Sequence, residues 1–225
     1  MSTIKEILQE IYSSYIDKDV SMFLDIRNKM GFSRVISLLA DQISNLVNVS
    51  EVSNTTQLSH LTVKNYLQSL EDTYIVAFNR PIATNVRSEL VKMPKIYFMD
   101  LGLRNCVLKN FNLYLIEREK GKLLENFVYI SLNQTWKDKL HYWRSKDKAE
   151  VDFIIEKENQ NWIPIEIKAT MLSKPIIGKS MHSYLKSYPC KNAYVVNLSL
   201  QEKIKINETE INFILPWQMD ILETL

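Results

Sequence analysis

The chain has 225 residues, room for one large or two small domains, and 46% of them are hydrophobic, ample for packed cores. With 28 basic against 26 acidic side chains the formal net charge is +2, so overall charge argues for no nucleic-acid partner and any basic surface has to be local. Cys106 and Cys190 stand far apart, and His60, His141 and His182 are scattered, which argues against zinc and for free thiols in a cytoplasmic protein. No stretch approaches the roughly 18 apolar residues that span a bilayer, so no membrane association is expected.

The first region reads as helical. Ser2 or Thr3 caps a helix whose apolar stripe is Ile4, Ile7, Leu8, Ile11, Tyr12 and Tyr15, and residues 20–26 and 32–47 continue with helical spacing. Residues 50–57 suit a short helix and turn. Ser59 then caps a second helix that carries Val63, Tyr66, Leu67 and Leu70 inward, with His60, Thr62, Lys64, Asn65 and Gln68 outward. Residues 74–78 and 95–99 are strand-like, separated by a polar loop containing Arg80, Arg87 and Lys92.

Helix, turn, helix and two-stranded ribbon describe a winged helix. One reading puts the outer face of its second helix in a DNA major groove, with Lys64, Asn65 and Gln68 near the bases and Arg80, Arg87 or Lys92 on phosphates. The other makes it a docking surface for a second domain or a partner chain. The outer face carries one lysine and no arginine, thin for phosphate-driven binding. Asp100-Leu101-Gly102-Leu103-Arg104 closes the wing and opens a short helix ending near Leu108. The following loop, about residues 110–115, divides the chain into a helical winged-helix domain, 1–112, and a second domain, 113–225.

The second domain opens with a helix over about residues 117–135, its inner face Leu123, Leu124, Phe127, Ile130 and Ser131, with Glu125 at the edge of that stripe. Three short strands follow between His141 and Thr170. Val151, Phe153 and Ile155 alternate with Asp152 and Ile154, and Ile163, Ile165 and Ile167 alternate with Glu166 and Lys168. Paired through a turn at Glu158-Asn159-Gln160-Asn161, the last two strands bring two carboxylates and an ammonium to one spot. Carboxylates in an apolar sheet are costly unless a cation or solvent meets them, which suggests a metal site. The bland alternative is an ion-pair network on a half-exposed sheet. A helix over 174–187 and strands near 193–198, 203–206 and 211–215 complete the order αβββαβ plus further strand. The fold class is α/β, α+β overall, with a mixed sheet flanked by helices.

Glu125 on a leading helix, Asp152 in Glu150-Val151-Asp152-Phe153-Ile154-Ile155, and the Glu166-x-Lys168 pair before Ala169 resemble the core of the PD-(D/E)XK nuclease superfamily, a restriction-endonuclease-like fold. Here Val151, rather than proline, precedes Asp152. More narrowly, Leu123-Leu124-Glu125-Asn126-Phe127-Val128-Tyr129, Tyr142-Trp143-Arg144-Ser145-Lys146 and the run from Pro94 to Leu103 resemble the C-terminal part of prokaryotic AAA-type ATPases, where a winged helix and a nuclease-like domain of unassigned function follow the ATPase core. The resemblance covers nearly the whole chain.

The superfamily resemblance implies metal-dependent cleavage of phosphodiester bonds, in DNA before RNA. Asp152 and Glu166 would hold Mg²⁺ or Mn²⁺ and its waters, Lys168 would orient the attacking water or stabilise the transition state, and Glu125 would complete the metal site. Arg144, Lys146 and Lys148, beside Trp143, would position the strand by its phosphates, unless they form only a solvated turn. Glu150 is a further candidate ligand, or a strand-end charge. The implied partners are DNA and an ATPase domain missing from this chain, with a homo-oligomer left open. The non-catalytic alternative is a DNA-binding or protein-interaction region of such an ATPase. ATP binding by the chain itself is not expected: the nearest approach to a phosphate loop, Gly178-Lys179-Ser180, has Ser173 in place of the first glycine and Pro175 within the loop.

Overall fold

The computed structural model describes residues 3–15, 28–82, 93–157 and 162–224. They form two compact units, Met1–Phe78 with Pro94–Glu119, and Asn79–Met93 with Lys120–Leu225. The expected readings at residues 20–26, at Arg87 and Lys92, and at the turn 158–161 lie outside the described residues.

In the first unit, helix α1 (Ile4–Ser14) starts at Thr3, whose side chain accepts from the Glu6 N–H while the Glu6 carboxylate accepts from the Thr3 N–H. Helix α2 (Lys29–Asp41) buries Phe32, Val35, Ile36 and Leu39 completely. Helices α3 (Val49–Thr56) and α4 (His60–Asp72) are separated by a turn in which Gln57 adopts a left-handed conformation, φ 58°. Strands β1 (Val76–Asn79) and β2 (Lys95–Phe98) pair, and the chain at 44–47 runs along β2 through Ser44 N–H to Ile96 O and Val47 N–H to Pro94 O, each 2.8 Å. This is the winged-helix arrangement anticipated. Helix α4 buries the four expected residues, Val63, Tyr66, Leu67 and Leu70, because Ser59 sets its start and the 3.6-residue period does the rest.

Helix α5 (Leu101–Val107) is capped by Asp100. Arg104, one turn in, is fully buried, donating Nε–H to Ala40 O at 2.8 Å and Nη1–H to Glu119 Oε2 at 2.7 Å. A short helix, α6 (Leu113–Arg118), replaces part of the expected loop because Asn112 caps it, accepting from Tyr114 N–H. The α1 stripe departs from expectation: Ile4, Ile7 and Ile11 are 78%, 45% and 53% exposed. Helix α1 meets α5 on a narrower face that includes Leu8, which approaches Gly102, so a stripe of six apolar residues exceeds its partner.

The second unit contains α7 (Lys120–Trp136), β3 (Leu140–Arg144), β4 (Glu150–Glu156), β5 (Trp162–Lys168), α8 (Lys179–Ser187), β6 (Asn192–Asn197), β7 (Glu202–Ile206), β8 (Thr209–Ile214) and α9 (Asp220–Glu223). Its six strands lie in the order β3-β4-β5-β6-β8-β7, with β5, β6 and β8 parallel and the other neighbours antiparallel. The α/β class with a mixed sheet flanked by helices is as expected. Phe153 meets Tyr129 of α7 at a ring separation of 6.1 Å, while its neighbour Ile154 packs with Met181 and Tyr184 of α8, so the two helices cover opposite faces of β4.

Three local expectations change. Helix α7 buries Asn126, Val128, Tyr129 and Leu132 and leaves Phe127 42% exposed, a rotation from the predicted face. Its apolar residues occur all round, so periodicity alone did not choose the side. Helix α8 starts at Lys179 rather than 174, since Pro175 disfavours helical geometry at the residue before it and Gly178 is an extended N-cap. Arg80, expected on the wing, lies beside the sheet: its carbonyl accepts from Tyr142 N–H at 3.2 Å, and Ile82 N–H donates to Tyr142 O at 2.8 Å.

Candidate functional site

Strands β4 and β5 pair with Phe153 opposite Ile165 and Ile154 opposite Pro164. Continuing that register one step sets Asp152 opposite Glu166. Instead of a further ladder bond, Ile167 N–H donates to Asp152 Oδ2 at 2.8 Å. The adjacent carboxylate is buried, with Glu166 only 4% exposed, and its Oε1 lies 2.5 Å from Lys168 Nζ. Glu166 Oε2 has no hydrogen-bond partner among the described residues. A buried, half-satisfied carboxylate is expensive, and a surface ion-pair network does not describe it.

Helix α8 begins against this group. A Cβ built on Gly178 would stand 2.8 Å from Glu166 Oε1 and 3.6 Å from Lys168 Nζ. Ser180, in the first turn of α8, accepts from Glu150 N–H at 3.2 Å, tying the helix start to the start of β4. Glu150 in turn meets Arg144 Nη1 at 3.2 Å. The site therefore lies at the carboxyl end of β5, which runs parallel to β6, the end of an open α/β sheet where ligands bind.

Asp152, Glu166 and Lys168 thus come together as their alternation implied. Glu125 is half-buried on α7, the helix on the Phe153 face, and the described residues contain no group of three His, Cys, Asp or Glu side chains set to hold a metal. The three-carboxylate set with Glu125 is not assembled. Arg144 is half-buried in its pair with Glu150, whereas Lys146 and Lys148 are exposed on the tight β3–β4 turn. On the first unit Lys64 and Asn65 are exposed on α4, while Gln68 donates to Asp72 Oδ1 at 2.8 Å. Asp152 and Glu166 supply hard oxygen donors, and the unpartnered Glu166 Oε2 suits a small divalent cation that keeps most of its waters. The contact of Gly178 with this group escaped sequence reasoning. Its signal was a glycine directly before a helix, in a chain with four glycines in all.

Residues 2–114 match the model of a family described as Domain of unknown function (DUF8612). The chain belongs to that family. Beyond the DUF8612 region, residues 120–219 match a second family, Domain of unknown function (DUF4143), so the site lies wholly in the DUF4143 part. Uncharacterized proteins of Mycobacterium bovis and Mycobacterium tuberculosis are each 30% identical over 177 residues, 77% of this chain and 39% of theirs. An uncharacterized protein of Haemophilus influenzae is 27% identical over 163 residues, 68% of this chain and 38% of its own. This DUF8612 chain therefore spans less than half the length of these relatives. Among solved structures, one chain of a Thermococcus gammatolerans assembly of McrB AAA+ hexamers with bound McrC aligns over 82% of this chain and 46% of its own, at 11% identity and a TM-score of 0.35, too distant to carry an argument.

Proposed function

We propose that the DUF4143 part is a Mg²⁺-dependent nuclease-like domain hydrolysing phosphodiester bonds of DNA, working with an ATPase domain in the same or a separate chain. The buried Glu166, one oxygen on Lys168 and the other without a partner among the described residues, opposite Asp152 in the β4–β5 register, carries the reading. Asp152 and Glu166 would hold the ion, which would supply charge neutralisation at the phosphate and activation of water. Lys168, 37% exposed at its side chain, reaches solvent beside the carboxylates and donates to the attacking water or to the phosphate oxygen that gains charge. Exposed Lys146 and Lys148, on the turn leading into β4, meet neighbouring phosphates. Glu125 would hold the ion's waters.

Calorimetric titration of Mg²⁺ and Mn²⁺ into wild type and Asp152→Ala, followed by cleavage assays on linear, circular and single-stranded DNA, tests this. Metal binding lost in the variant, with metal-dependent nicking by wild type, is expected. Wild type without metal binding would remove the site from any catalytic role.

A non-catalytic reading rests on a different observation, the exposed His60, Lys64 and Asn65 face of α4. In it the winged helix binds duplex DNA or a protein partner and the sheet is a scaffold. Salt-dependent DNA binding without cleavage favours it.

A further inference from the structure

We propose that Gly178 is a positioning residue of the metal site, its missing side chain leaving the space in which the Glu166 carboxylate is set. This rests on the metal reading above. The backbone of Gly178, φ −76° and ψ 166°, is extended and open to any residue, so the glycine is not needed for a turn. Nor is it the strongest cap: Ser, Thr, Asp or Asn at that position would bond the first-turn N–H groups of α8, which here receive no side-chain cap. What Gly178 provides is room. Any other residue places a Cβ 2.8 Å from Glu166 Oε1, closer than real Cβ contacts come. The clashing atom ends a side chain that can turn, so the fold survives at the expense of the carboxylate's position.

That position matters because both oxygens are committed. Lys168 Nζ holds Oε1 at 2.5 Å, and Oε2 is buried with no partner among the described residues. Turning the carboxylate away from residue 178 moves both oxygens. By contrast, a Cβ on Gly121 would meet nothing within 4 Å. Gly178 acts through Glu166 and touches no ligand itself.

The test is Mn²⁺ titration calorimetry on the full chain as wild type, Asp152→Ala, Gly178→Ala, Glu166→Asp and the double variant Gly178→Ala/Glu166→Asp, with thermal unfolding of each. Wild type binds Mn²⁺ and Asp152→Ala does not. Gly178→Ala loses about tenfold in affinity, the scale of an outer-shell defect, while its Tm stays within about 3 °C of wild type. Adding Gly178→Ala to Glu166→Asp costs less than about threefold, because the shorter side chain clears the new Cβ. Wild-type affinity in Gly178→Ala, or the same loss in both backgrounds, overturns the proposal while leaving the metal site standing. Failure of wild type to bind Mn²⁺ overturns the metal reading and this proposal with it. If Gly178→Ala alone does not fold, the double variant decides: folding and affinity equal to Glu166→Asp support the proposal, and a loss there overturns it.

Discussion

Ile167 N–H donates to Asp152 Oδ2 at 2.8 Å, so one candidate metal ligand also ties down the strand that carries the other. The structural role of Asp152 can thus be separated from the chemical role proposed for it. Asp152→Asn keeps an oxygen for Ile167 and loses the charge; Asp152→Ala loses both. Both variants should fail to bind Mg²⁺, but only Asp152→Ala should lose about 1 kcal/mol of stability. Urea unfolding beside calorimetry checks this, and metal binding retained by Asp152→Asn would exclude Asp152 as a charged ligand.

Lys168 is the counterion of a buried carboxylate. Lys168→Met leaves Glu166 without it, and because Lys168 is itself partly exposed the cost should be about 1–2 kcal/mol, below that of a fully buried pair. Millimolar Mg²⁺ should raise the Tm of Lys168→Met more than that of wild type, since the ion restores the missing positive charge to the folded state alone. Cleavage should be lost. Equal Tm shifts in the two proteins would show that the ion does not meet Glu166.

Arg104 is the largest fully buried side chain, and its partner Glu119 is 24% exposed at its side chain. Arg104→Ala removes one partner of Glu119, which keeps the Asn110 amide at 3.4 Å, and opens a void; it should cost about 2–5 kcal/mol, with Mg²⁺ affinity unchanged in the fraction that remains folded. Chemical denaturation measures the first and calorimetry the second. A cost below about 1 kcal/mol would mean that water replaces the guanidinium without penalty.

Burial pushes the Cys190 thiol from 9.0 up to about 11, against a lowering hydrogen bond from Thr209, and burial raises Tyr184 as well. Both groups hold their protons more tightly folded than unfolded. For Cys190 the stability this contributes is present below about pH 9 and is lost as pH rises towards 11. Native protein should therefore react slowly with iodoacetamide at Cys190 near neutral pH, and Cys190→Ser should lessen the alkaline fall in Tm. Rapid native alkylation at neutral pH would contradict the half-buried, protonated thiol.

Glu125 was named from its place before the strands, yet α7 presents its Asn126, Val128, Tyr129 and Leu132 to the interior. Glu125→Gln should accordingly weaken Mg²⁺ binding less than Asp152→Ala in the same titration. An equal loss would put Glu125 at the ion.

The sequence by itself determined the elements whose periodicity admits one answer. Val63, Tyr66, Leu67 and Leu70 face inward on α4 because a single apolar stripe follows Ser59, and Asp152 shares a face with Ile154, as Glu166 does with Lys168, because residues two apart on a strand point the same way. Where apolar residues occur on several faces, as on α7, periodicity names candidates without choosing among them; on α1 it names a single stripe but not how much of that stripe a partner covers. It is the tertiary structure that leaves Ile4, Ile7 and Ile11 exposed, lays Arg80 along β3, and brings Gly178 so near Glu166 that a Cβ there would stand 2.8 Å from Oε1. Period records which side chains share a face. Which face is covered, and where a side chain has no room beside a carboxylate twelve residues away, depends on contacts between distant segments.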